Sequence, residues 1–101
     1  MVWQDEESRV ALGRDLSKAS LLLILIEEQA RLLCVRPGAP IHKKFLGNCQ
    51  NFEDHLGSNP RLGVLHLLWR FQVSEASRSL EELITLCVRY RALLTALQQC
   101  C

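Results

Sequence analysis

The sequence predicts an all-α fold, a small bundle of about four main helices with a long helix at each end of the chain. Three observations predict it. Leucine dominates a hydrophobic content of 49%, while valine, isoleucine and aromatics are few, a balance that favours helix over strand. Apolar residues recur at alternating steps of three and four, the spacing of one helix face. Breaks containing proline and glycine cut the chain into helix-sized pieces. At 101 residues there is room for one core, so residues 1–101 are read as a single domain.

The first helix is predicted ahead of Arg36-Pro37-Gly38-Ala39-Pro40, where two prolines around a glycine end it. Leu12, Leu16, Ala19, Leu23, Ile26, Ala30 and Leu33 form a heptad-like seam along it. Asp5 with Arg9, and Glu27 with Arg31, stand four apart with the acid first, the favourable order. Gly13 is its weak point, a place to kink or divide. Leu21–Ile26 is apolar all round and should be covered on every side.

Between the breaks, Ile41, Phe45, Leu46, Cys49, Phe52 and Leu56 share a face of a second helix that Gly47 weakens. Gly57-Ser58-Asn59-Pro60 reads as a C-cap glycine, then an Asn59 N-cap with Pro60 in the first position of a third helix. Leu62, Leu65, Leu68, Trp69 and Val73 form the apolar side of that helix, with Leu67 and Phe71 widening it, so it should be mostly buried. A softer break at Ser74–Ser79 precedes the last helix, which opens on the capping box Ser79–Glu82. Leu80, Leu83, Cys87, Tyr90, Leu94, Leu97 and Cys101 form its seam, flanked by Ile84, Leu86 and Leu93.

These seams carry the functional expectation. The first helix should run roughly 28 residues, or about 42 Å, and the short middle helices look unable to cover it end to end. Uncovered leucines in that number exceed the apolar patch a soluble monomer exposes. The chain is therefore expected to be a non-enzymatic interaction or assembly module, paired as a symmetric homodimer and open to a further protein partner. The candidate interface residues are Leu16, Leu23, Ile26, Leu33, Leu83, Cys87, Tyr90, Leu94 and Leu97. Trp69 is a hot-spot anchor if exposed. The competing reading makes both seams the core of a monomeric bundle.

Nucleic acid is the alternative. Arg31, Arg36, Lys43, Lys44, Arg61, Arg70, Arg89 and Arg91 could follow duplex phosphates by shape. Arg78 and His42 belong to the same basic set. A net charge of +1 and the lack of aromatic–basic clusters weigh against it.

Zinc is a second alternative, because Cys34, His42, Cys49 and His55 follow one another within a short stretch. Their spacing argues against a site. No close pair opens the set, and within one helix His42 and Cys49 stand about 10 Å apart along the axis. No cofactor motif is present: the glycines are isolated, and no serine or cysteine sits in a nucleophile motif. Glu81 and Glu82 suit capping, His66 suits packing, and catalysis is not expected.

Five cysteines, with Met1–Ser8 unlike a secretory signal, predict reduced thiols in the cytosol or nucleus. Cys34, Cys49 and Cys87 read as small core residues. Cys100 and Cys101 read as a frayed, oxidisable end. Leu80, Leu83, Leu86 and Val88 have the spacing of a nuclear export signal, which any amphipathic leucine-rich helix reproduces. The Leu21–Ile26 run is too short to cross a bilayer, so no membrane span is expected.

Overall fold

Thirty residues without a proline, Glu6–Val35, form one unbroken helix, α1. In this computed structural model, which describes residues 6–76 and 79–100, three more helices follow: α2 (His42–Gly57), α3 (Gly63–Ala76) and α4 (Leu80–Cys100). A single 3₁₀ turn, Pro60–Leu62, leads into α3. No strand occurs among the described residues, and the fold is a small all-α bundle. Asp5, Arg78 and Cys101 lie outside the described residues, and with them the expected Asp5–Arg9 pair and the last seam position. Arg9 pairs with Glu6 at 2.9 Å.

The breaks act through local backbone chemistry. Pro37 has no amide to extend α1, and the chain turns instead through Ala39 N–H to the Arg36 carbonyl. α2 then starts without a side-chain cap at Ile41. Asn59 accepts from the Arg61 amide at 3.2 Å, with Pro60 first in the 3₁₀ turn. Ser79 Oγ accepts from the Glu82 amide at 3.1 Å, the forward half of the capping box that opens α4.

Two glycines differ from expectation. α1 runs through Gly13 without interruption. Gly57 is the last residue of α2 rather than a left-handed cap, and no described residue has a positive φ. Its value is space, because a Cβ there would lie 3.0 Å from the His66 ring.

The short connections make sequential helices antiparallel neighbours. α1 packs against α2 and α4, and α3 packs against the same two, so α1 and α3 occupy opposite corners. Polar contacts mark the registers. Asn48 donates to Gln29 at 2.9 Å and His55 Nε2 donates to the Asp15 carbonyl at 2.9 Å, joining α2 to α1. Arg91–Glu27 and Gln98–Ser17 join α4 to α1. Thus α2 and α4 lie side by side along α1 rather than end to end. That is how shorter helices bury a seam that the length argument left uncovered.

The predicted seam of α1, Leu12, Leu16, Ala19, Leu23, Ile26, Ala30 and Leu33, is its buried face, residue for residue. It belongs to one contiguous core with Phe45, Phe52, Leu56, Leu62, Trp69, Leu86, Cys87, Tyr90 and Leu94. Phe52, Trp69 and Tyr90 tie α2, α3 and α4 together through edge-to-face contacts, with centroids 4.7 Å apart for Phe52–Trp69 and 5.1 Å for Trp69–Tyr90. Each such pair adds about 0.5–1.5 kcal/mol beyond simple burial. The Tyr90 hydroxyl donates to the Leu65 carbonyl, fastening α4 to α3.

Candidate interaction surface

A helix wedged between two others needs only one apolar face, and α3 has two. Leu65, Trp69 and Val73, at steps of four, point into the core. Val64, Leu67, Leu68 and Phe71, at i, i+3, i+4 and i+7, form a second stripe on the outside. Their exposures are 80%, 68%, 37% and 67%. The expectation that Leu68, Leu67 and Phe71 extend the buried face is therefore corrected. Once α2 and α4 flank the helix, these positions have nothing left to pack on.

The stripe ends beside a groove between the end of α3 and the start of α4. Phe71, Gln72, Glu81, Glu82, Thr85, Leu86 and Arg89 line about 420 Å³ of it. The Gln72 Oε1 atom is buried there with no hydrogen-bond partner among the described residues.

α1 carries a sparser counterpart. Leu23 and Ile26 are buried, yet Leu21 and Leu25 are exposed, so the all-apolar run is not covered on every side. At about 100° per residue, Leu21, Leu25, Leu32 and Val35 fall on one line opposite the buried seam, with Glu28 interrupting it. Because α1 and α3 sit at opposite corners, the two apolar faces look away from each other.

The structure places the sequence-derived interface residues in or against the core of one chain. Leu16, Leu23, Ile26, Leu33, Cys87, Tyr90 and Leu94 are at most 2% exposed within one chain. Leu83 and Leu97 pack half-buried against the same core. Trp69, at 4%, belongs to the aromatic centre and offers no exposed anchor. These side chains are taken up by the chain's own interior. The unbroken exposed stripe on α3 is instead Val64, Leu67, Leu68 and Phe71, three of which the spacing assigned to the buried side of that helix. The available signal was a complete i, i+3, i+4, i+7 set on a helix that already had an apolar face in Leu65, Trp69 and Val73.

The basic residues do not gather on one acid-free face. Arg31 and Arg91 share the Glu27 carboxylate, at 3.0 Å and 3.1 Å. Arg70 shares Glu53 with His66, at 3.5 Å and 3.4 Å. Arg36, Lys43 and Lys44 are exposed around the α1–α2 turn, while Arg61 sits at the other end of the bundle and Arg89 midway along α4.

The cysteines and histidines do not gather at one point, although Cys34 and His42 line a common cavity. His42, Cys49 and His55 lie along α2 and Cys34 near the end of α1. Among the described residues no group of three or more His, Cys, Asp or Glu converges on a metal-sized site. Burial lifts the Cys49 thiol from 9.0 to about 11. Burial, then the neighbouring Cys49 and Glu27, lifts Cys87 to about 12, with Arg91 opposing. Neither is a thiolate near neutral pH, so neither is a ready nucleophile. Cys34 is half-buried, whereas Cys100 is exposed.

Among the described residues no helix is long and apolar enough to cross a membrane. Compared with protein families, curated proteins and solved structures, the chain has no significant match. The surface is read from its own geometry.

Proposed function

We propose that this chain is a non-enzymatic interaction or assembly module that pairs with a second copy of itself through an outward apolar helix face. One observation carries the reading: Val64, Leu67, Leu68 and Phe71 are exposed together as a continuous stripe on α3. Scattered surface leucines need no explanation, but an ordered stripe with a phenylalanine at one end costs solubility unless something covers it. Burying such side chains contributes about 25 cal/mol per Å² of apolar surface removed from water. The stripe also lies on a regular helix, which loses little conformational freedom on binding.

Protein is favoured over nucleic acid as the occupant because carboxylates are interleaved with the basic residues. Arg31, Arg70 and Arg91 already hold acidic partners, and the remaining cations are scattered from one end of the bundle to the other. Phosphate tracking needs cations ranged along one face. Sedimentation of reduced protein over a concentration series tests the proposal. Concentration-dependent dimerisation that Leu67→Asp abolishes, in a variant that stays folded, supports it. A wild-type chain that stays monomeric at millimolar concentration overturns it.

A further inference from the structure

The α3 stripe has an internal symmetry that specifies how a second copy would sit on it. We infer that α3 pairs antiparallel with α3 of the second copy about a two-fold axis between Leu67 and Leu68, with Arg61 of each chain reaching Glu81 and Glu82 of the other. This rests on the proposal that the module self-associates, and it adds register, partner residues and charge pairing.

The apolar positions are palindromic. In antiparallel pairing about that axis, Leu67 meets the second copy's Leu68 and Val64 meets its Phe71. The smaller side chain therefore faces the larger, and each exposed apolar position finds one partner. Val64 and Phe71 are seven residues, or about 10 Å, apart along the helix. A parallel arrangement would set Phe71 against Phe71 and leave the two Val64 side chains facing each other across a gap.

The charges follow the same symmetry. Arg61 is exposed at the entrance to α3 and has no acidic partner among the described residues. Glu81 and Glu82 are exposed in the groove beyond Phe71, at the other end of α3, and their carboxylates form no ion pair among the described residues. An in-plane two-fold axis reverses the helix direction and keeps the α4 side facing the α4 side. It thus carries Arg61 of one chain to the Glu81–Glu82 end of the other. Arg89 lines the same groove, so its carboxylates outnumber its cation two to one. Four apolar side chains alone fall short of the roughly 800 Å² per partner of a stable interface. The flanking charges belong to the contact for that reason, and they would fix its register.

The test is a charge exchange between two variants, Arg61→Glu and Glu81→Lys/Glu82→Lys, read by analytical ultracentrifugation. Each variant alone places like charges together at both ends and should dimerise at least tenfold more weakly than wild type. Mixed one to one, the two place opposite charges together at both ends, and association should return as a heterodimer. Lysines at Glu81 and Glu82 oppose the α4 dipole, so circular dichroism checks that variant's fold. If it does not fold, Glu81→Gln/Glu82→Gln replaces it and should lose most of the wild-type salt dependence of dimerisation. Wild-type dimers whose charge variants still dimerise alone, with no gain on mixing, would overturn this arrangement and leave self-association through another face standing. A wild-type chain that never dimerises would overturn both.

Discussion

Glu27 and Arg91 are joined at 3.1 Å across the α1–α4 contact, and the same carboxylate holds Arg31 at 3.0 Å. The Glu27 side chain is only 12% exposed, so it accepts two charged donors in a place where water competes poorly. Both arginines reach solvent, which discounts the pairing. Glu27→Ala should lower stability by about 1–2 kcal/mol, measured by urea denaturation, whereas Glu6→Ala, an exposed pair, should change it by less than about 0.5 kcal/mol.

Leu23→Asp and Ile26→Asp should prevent folding rather than release a folded monomer. Both side chains are fully buried inside one chain, and an unpaired carboxylate there costs several kcal/mol or takes up a proton. Far-UV circular dichroism and a melt distinguish the outcomes. A folded, monomeric Leu23→Asp variant would place the seam at an interface after all.

The buried acids make stability fall at high pH. Cys49 and Cys87 ionise near 9.0 when unfolded but at about 11 and about 12 in the fold, and burial raises Tyr90 above its ordinary 10.0. A raised acid contributes stability that is present in full below its unfolded value and is lost as pH climbs to its folded value. Unfolding free energy should therefore hold to about pH 9 and then decline through pH 11–12. Cys87→Ala should flatten that decline. An unchanged slope would show that Cys87 is not protected. Thiol labelling gives a second view: Cys100 should react fast in native protein, and Cys87 only on unfolding.

Helix glycines with empty space beside them give the opposite sign. A Cβ at Gly13 or Gly47 meets nothing within 4 Å. Gly13→Ala and Gly47→Ala should each raise stability by about 0.5–1 kcal/mol by reducing the freedom of the unfolded chain. Gly57→Ala should not, because its Cβ would press on His66 at 3.0 Å.

The contrast between α1 and α3 explains how much the sequence could reveal. On α1 one face is apolar along its whole length and the opposite face is broken by Arg14, Lys18 and Glu28. Periodicity alone therefore picks out every buried residue from Leu12 to Leu33. On α3 both faces are apolar. Leu65 and Trp69 alternate with Val64, Leu67 and Leu68, and spacing cannot say which set is inside. The answer depends on where α2 and α4 lie, a tertiary fact with no local signature. The same limit applies to the length argument. Helix lengths suggested an uncovered seam on α1, but side-by-side packing of α2 and α4 buries that seam, and exposed apolar residues lie instead on the outer line of α1 and, as an unbroken stripe, on α3.

Whether α3 pairs two chains is decided by the solution mass of reduced wild-type and Leu67→Asp protein, side by side, by light scattering over a hundredfold concentration range. The wild-type mass should rise from about 11.5 kDa towards twice that value, and a folded Leu67→Asp chain should stay at 11.5 kDa throughout. Identical monomeric masses for both proteins, or a Leu67→Asp variant that dimerises as well as wild type, would contradict that pairing.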